Sequence, residues 1–292
     1  MTKDLTISKL FFKKTMKTPH RKSIGWVDGS DLHFYNNTEY QQKVRIIFYG
    51  LVKLGLQNQD RVAILGQTSK EWHFFDLATL CARAVVTPVY PTYLAHEVEY
   101  ILNHSETKIL IIENEAQFQK ILEIQKNLPH LKNIVAIKEI SEESVKKLSD
   151  KIIFQSYQHF IDNGNLESQN SPKLFEATIE SSEPNDLASI IYTSGTTGDP
   201  KGAVITQHAF VVMLNNVYSS LKTNILSTDR TLTFLPLSHV FGRCDSLLNL
   251  VFDFECVFAE SLDKVVDHMA VARPTILLAV PRIFEKVYSK IL

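Results

Sequence analysis

Ile190-Ile191-Tyr192-Thr193-Ser194-Gly195-Thr196-Thr197-Gly198-Asp199-Pro200-Lys201-Gly202 is the stretch on which the reading of this chain turns. An apolar strand runs straight into a loop of small and hydroxylated residues that ends in a lysine. Such a loop suits phosphate. Glycines let backbone N–H groups close on an anion and accept positive φ, hydroxyls add neutral donors, and Lys201 carries charge to the outer oxygens. It is not a Walker loop, because Gly198 is followed by Asp199 and Pro200 instead of Lys and Ser or Thr. Gly195 and Gly198 also lack the spacing of the dinucleotide fingerprint, and no helix opens directly after them. A plain hairpin turn needs only about two to five residues and gains nothing from the run of hydroxyls or from the closing lysine.

Outward from this loop, Leu187–Tyr192 reads as its entry strand and Ala203–Thr206 as a return strand, followed by a helix with Phe210, Leu214, Val217 and Leu221 on one face. Thr231–Leu235, Cys256–Ala259 and Thr275–Val280 read as further strands. Leu262, Val265, Val266 and Met269 mark an intervening helix. Upstream, Tyr40, Val44, Ile47, Leu51 and Leu54 form a helix face, and Arg61–Leu65 a strand. Residues 69–84 form a buried helix, Val85–Val89 a strand and Ala95–His104 a helix, followed by strands over Lys108–Ile112 and Ile134–Ile137. This alternation predicts βαβ units in an α/β protein with layered lobes, mostly parallel sheets and flanking helices. Gly164, Pro172, Pro184 and many polar residues mark 161–185 as a surface connection between a first lobe, 1–160, and a second, 186–292. Pro281 fits the first position of a helix striped by Ile283, Phe284, Val287, Tyr288 and Ile291. The chain stops at Leu292 without a C-terminal cap, so it reads as cut in mid-domain. Apolar edges exposed by such a cut predict self-association.

The chain has 292 residues, 45% of them hydrophobic, and a formal net charge of −1. That balance, with no basic stripe interleaved with aromatics, argues against nucleic acid as a partner. No apolar run approaches the roughly 20 residues of a membrane span, and no cleavable leader is evident, so a cytoplasmic protein is expected. Cys81, Cys244 and Cys256 are too few and too scattered for a disulfide framework or a zinc knuckle. No two of the ten histidines are spaced to share a helix face as metal ligands. Residues 1–24 carry seven Lys or Arg against Asp4, interleaved with Leu10, Phe11 and Phe12. They read chiefly as a helix feeding the hairpin that turns at Asp28-Gly29, with peripheral contact to an anionic membrane as a second reading.

The 190–202 segment closely resembles the phosphate loop of the adenylate-forming, AMP-binding ligases. Three other segments resemble the long-chain fatty acid–CoA ligase branch: Pro88-Val89-Tyr90-Pro91-Thr92, Phe234-Leu235-Pro236-Leu237-Ser238-His239-Val240-Phe241-Gly242-Arg243, and Ala279-Val280-Pro281-Arg282-Ile283-Phe284-Glu285-Lys286-Val287. The first and third are read as scaffold. In the second, Gly242 stands where long-chain relatives usually have an acidic residue before the arginine. No ion pair between those neighbours is available, and chain-length preference does not carry over.

The resemblance implies ATP-dependent activation of a fatty acid to an acyl-adenylate, followed by transfer to CoA. By the same resemblance, Thr193, Ser194, Gly195, Thr196, Thr197, Gly198 and Lys201 would hold the phosphates of ATP. Thr196 would contribute to the Mg²⁺ shell, and His239 with Phe241 would border the carboxylate. The Tyr-Gly-x-Thr-Glu segment, ribose aspartate, hinge and mobile lysine-bearing domain of the family have no counterpart in these residues, so this chain alone is expected to be incompetent. Two alternatives stay open: an acyl-AMP ligase that loads a carrier protein, and a non-catalytic nucleotide- or acyl-binding protein.

Overall fold

A computed structural model describes residues 4–193 and 200–281. Its elements begin with α1 (Ile7–Lys17), β1 (Lys22–Asp28), β2 (Asp31–Asn36), α2 (Asn37–Lys53), β3 (Arg61–Leu65), α3 (Lys70–Cys81), β4 (Val85–Val89) and α4 (Ala95–His104). They continue through β5 (Ile109–Ile112), α5 (Glu115–Ile124), β6 (Asn133–Ala136), α6 (Glu142–Val145), β7 (Ile153–Ser156), α7 (Tyr157–Asn170), α8 (Leu174–Glu180), β8 (Leu187–Thr193) and β9 (Lys201–Thr206). The last are α9 (Gln207–Leu221), β10 (Arg230–Thr233), α10 (Val240–Leu247), α11 (Asn249–Phe252), β11 (Glu255–Phe258) and α12 (Val265–Ala272).

Two sheets result. The larger runs β7-β6-β5-β3-β4-β8-β9 and is parallel except for the edge hairpin of β8 with β9. Its strands are apolar on both sides, as a sheet covered on two faces requires. Val62 and Ile64 of β3, with Ile109 and Ile111 of β5, pack with α2 and α3 on one face. Ala63, Leu65, Leu110 and Ile112 alternate onto the other face, against Val98 and Ile101 of α4 and Phe118 and Ile121 of α5. The smaller sheet runs β10-β11-β1-β2. Ile24, Cys256 and Phe258 face the shared helix layer, and Val27, Val257 and Ala259 face α12. The layers are therefore helix, sheet, helix, sheet, helix. The expected α/β architecture of mostly parallel sheets flanked by helices is what the chain adopts.

The sheets do not divide at a linker. The smaller one pairs β1 with β11, so residues assigned from the sequence to opposite lobes are hydrogen-bonded neighbours. The 161–185 segment is α7 and α8 rather than a surface connection. Gly164, read as a loop signal, marks a close helix crossing: a Cβ there would lie 2.3 Å from the Ile46 carbonyl oxygen of α2. Gly50 of α2 likewise faces the Phe160 ring of α7, where a Cβ would lie 2.5 Å from the nearest ring carbon. These two glycines let α2 and α7 approach to backbone contact.

Other expectations change in detail. Thr275–Val280 makes a single parallel bridge, Ile276 to Thr231, instead of a strand. Its alternation is real, since Leu277 and Ala279 pack on the outer cluster and Leu278 on the inner one. The helix expected from Pro281 lies almost wholly outside the described residues. In α1, Leu10 and Phe11 are buried in the core. Lys14 of the same helix is buried too, donating to Ser23 Oγ at 2.6 Å, and burial lowers its ammonium to about 8. Among the described residues no helix is long and apolar enough to cross a membrane.

Candidate functional site

Strand register assembles the site. β4 and β8 are parallel neighbours with Val86 opposite Ser189, which four residues on brings Tyr90 level with Thr193. β8 and β9 are antiparallel with Thr193 opposite Lys201. Tyr90, Thr193 and Lys201 therefore stand in one row at the carboxyl ends of the parallel strands, the edge at which open α/β sheets bind ligands. Ser194, Gly195, Thr196, Thr197 and Gly198 belong to the loop between these strands and lie outside the described residues.

The hairpin that presents the loop is pinned at its base. Tyr192 O–H and His104 Nδ1 of α4 are 2.8 Å apart, and Tyr100 O–H donates to the Pro200 carbonyl at 3.1 Å. Gly202 lets the strands close, because a Cβ there would meet Ile190 Cγ2 at 2.7 Å. Thr193 and Lys201 are exposed, and Lys201 has no carboxylate partner among the described residues. An exposed cation beside an exposed hydroxyl, next to a glycine-rich stretch of sequence, fits a phosphate chain. No three His, Cys, Asp or Glu side chains cluster as a cation site among the described residues.

A cavity of about 330 Å³ opens beside this row, lined by Tyr90, Thr92, Tyr93, Thr193, His239 and Val240, among others. His239 reaches it as the N-cap of α10. Its Nδ1 accepts from the Phe241 N–H at 3.1 Å, which places the ring proton on Nε2 and makes that nitrogen a hydrogen-bond donor. Phe241 is exposed on the following position. On the opposite wall, α5 clamps the Tyr90 turn: Lys120 Nζ donates to the Pro91 and Tyr93 carbonyls, both at 2.7 Å, and Gln117 to Pro91 at 3.2 Å. Burial pushes the Tyr90 and Tyr93 phenols up, so both remain neutral donors.

The structure thus brings together Thr193, Lys201 and His239 from the sequence reading. It adds Tyr90 and Thr92, which the sequence reads as scaffold, and Tyr93 beside them. Their only signal was their position after a strand, and that β4 pairs with β8 across about 100 intervening residues is invisible to a local pattern.

Beneath the site lies a buried ion pair. Arg243, fully buried, donates through Nε and Nη2 to Asp76 of α3 at 3.2 and 2.5 Å, and its guanidinium lies 4.9 Å from the Phe210 ring centre. Gly242 cannot offer Arg243 a carboxylate, and Asp76 supplies one from another helix. Nearby, the carboxyl of Asp245 is buried, and burial, opposed only by the Thr233 hydroxyl, raises its pKa to about 7.

Residues 12–291 match the family of AMP-binding enzymes. The chain belongs to this family. It is 30% identical over 251 residues to the long-chain-fatty-acid–CoA ligase FadD15 of Mycobacterium bovis, covering 86% of this chain and 39% of that protein. It is 29% identical to the long-chain-fatty-acid–CoA ligase ACSBG2 of Xenopus laevis, covering 98% of this chain and 38% of that one. The AMP-binding chain thus spans less than two fifths of the length of these relatives. Among solved structures, it shares the fold of the long-chain-fatty-acid–CoA ligase FadD1 of Archaeoglobus fulgidus, with a TM-score of 0.76 at 16% identity, covering 99% of this chain and 54% of that one.

The buried Asp245 carboxyl in this AMP-binding chain has a pH signature. A carboxyl held protonated in the folded state and ionised in the unfolded one contributes stability at low pH that is lost as pH climbs through its folded pKa. His73 works the other way. Burial lowers its pKa to about 3, so the folded state fails to take a proton that the unfolded chain takes below about 6.5. The parent's own pH profile therefore sums opposite slopes, and the difference between proteins isolates Asp245. The stability advantage of Asp245→Asn over the parent should grow from about pH 4 to about pH 7 and level off above, with a slope of at most ~1.4 kcal/mol per pH unit. Urea unfolding across that range measures it, and a constant difference would remove the assignment.

Proposed function

We propose that this chain is the phosphate- and carboxylate-handling portion of a long-chain fatty acid–CoA ligase. Membership of the AMP-binding enzymes and the likeness to two such ligases support the reading. The observation that carries it is the cavity of about 330 Å³ lined by both Thr193 and His239, with Lys201 paired to Thr193 on the neighbouring strand.

The chemistry asks little of side-chain nucleophiles. A fatty carboxylate attacks the α-phosphorus of ATP, releasing pyrophosphate, and the thiol of CoA then attacks the acyl carbon of the adenylate, forming the thioester and releasing AMP. Mg²⁺ bound with ATP supplies charge neutralisation. The chain's own residues align two anions and stabilise the charge that develops as the phosphates separate. Lys201 and the loop N–H groups would serve the phosphates, with Thr193, Ser194, Gly195, Thr196, Thr197 and Gly198 as the cradle, and Thr196 would contribute its hydroxyl to the Mg²⁺ shell. His239 Nε2–H donates toward a carboxylate oxygen.

Fatty-acid-dependent exchange between pyrophosphate and ATP, measured on this chain and on a longer protein that contains it, tests the reading. Lys201→Ala in the longer protein should lower exchange by about 100-fold, the scale of losing one donor to developing charge, with the thermal midpoint kept because Lys201 is exposed. Exchange unchanged in Lys201→Ala and in Thr196→Ala would remove the phosphate role.

A further inference from the structure

His239 is held in place almost entirely through its backbone. Among the described residues its ring bonds only within its own segment, to the Phe241 N–H, and the flanking Val240 and Phe241 are about 40% exposed. The segment around it is pinned at three points. Thr68, in the loop between β3 and α3, donates its hydroxyl to the Leu235 carbonyl at 2.8 Å and accepts from the Leu237 N–H at 3.1 Å. Asp76 of α3 holds Arg243, whose own N–H returns to the His239 carbonyl at 3.1 Å. Between them, Gly242 presses the first turn of α10 onto the Pro236 carbonyl. Both side-chain anchors come from one β3–α3 unit, and both act on residues 235–243.

We propose that Thr68 and Asp76 are positioning residues for the reaction, fixing the first turn of α10 so that His239 faces Thr193 across the cleft. The proposal rests on the functional reading of that cleft. Neither residue touches it. Thr68 is buried and Asp76 fully so, and each has its hydrogen-bonding capacity directed at the His239 segment. A chain needing only core stability at these positions could use apolar side chains of similar volume, which avoid the desolvation of a buried charge pair.

The test separates placement from mere folding. Thr68→Val keeps the volume and removes both hydrogen bonds, Thr68→Ser keeps both, and Asp76→Asn keeps the shape of the carboxylate without its charge. In histidine-labelled 292-residue chain, the His239 ring resonance is identified by its loss in His239→Gln. It should shift or broaden in folded Thr68→Val and Asp76→Asn, and sit at the parent position in Thr68→Ser. In a longer protein containing this chain, fatty-acid-dependent exchange should fall about tenfold in Thr68→Val and recover in Thr68→Ser. An unmoved His239 resonance in folded Thr68→Val overturns the proposal, whether or not stability has dropped. A moved resonance supports it. If exchange is then indifferent both to Thr68→Val and to His239→Gln, positioning stands and the catalytic reading of the cleft falls.

Discussion

Gly242→Glu, which installs the acidic residue usual in long-chain relatives, is expected to unfold this chain instead of adding an ion pair. A Cβ at 242 would lie 2.3 Å from the Pro236 carbonyl oxygen, 2.8 Å from its carbon and 2.9 Å from the Leu235 oxygen. All three are backbone atoms, so no side chain can rotate away. Nor can residues 235–237 retreat, because Thr68 bonds them on both sides and Leu235 and Leu237 are buried. Overpacking against fixed backbone should cost ~3 kcal/mol or more, the upper end of such effects and a large share of the stability of an ordinary domain, with the carboxylate's burial added to it. Arg243 meanwhile has no use for a second carboxylate, being bidentate with Asp76 already. Gly242→Ala isolates the steric part, and urea unfolding should show most of the loss with the methyl alone. A Gly242→Ala protein with the parent's midpoint would mean that α10 can lift from Pro236 at no cost.

This position shows where sequence reading reaches its limit. That Gly242 interrupts an expected acid–arginine pair is visible in the chain, but the replacement is not. Asp76 sits in a helix so uniformly buried that its apolar pattern has no polar face from which to read direction, and its partner is 167 residues away. The strands and helices that follow local rules were legible: alternation across β3 and β5 sends side chains to two clusters, and the β1–β2 hairpin turns at Gly29 with φ of 60°. Glycine was ambiguous. At 29 it supplies a positive φ, whereas at 164 and 50 it supplies room for a helix crossing, and only the crossing helix distinguishes the two. The phosphate-loop reading rests on chemistry that is contiguous in the chain, and its residues 194–199 lie outside the described residues. Tyr90 and His239 are not contiguous with it, and the sheet order that gathers Tyr90 beside Thr193 depends on which strands pair.

Asp76→Ala should be as damaging as any change that leaves the chain's shape intact. Arg243 would keep its charge at a fully buried position with Phe210 as its only strong neighbour, and its Nη1 is already unpartnered. Removing one member of a buried pair typically costs ~3–5 kcal/mol, because the other is left uncompensated. Burial pushes the Asp76 carboxyl up and the guanidinium pulls it back, so the pair's net contribution is the small difference of two large effects. That difference predicts an asymmetry. Asp76→Ala and Arg243→Met should each lose several kcal/mol, while Asp76→Leu combined with Arg243→Met should recover most of the loss, since an apolar pair carries no desolvation penalty. Denaturant unfolding of the single and double variants gives the coupling. If the double variant proved as unstable as the sum of its parts, Asp76 and Arg243 would be acting through separate partners and α10 would owe its place to Gly242 and Thr68 alone. If it recovered stability but lost fatty-acid-dependent exchange in a longer protein, the charge pair would be retained for placing His239 and not for holding the fold.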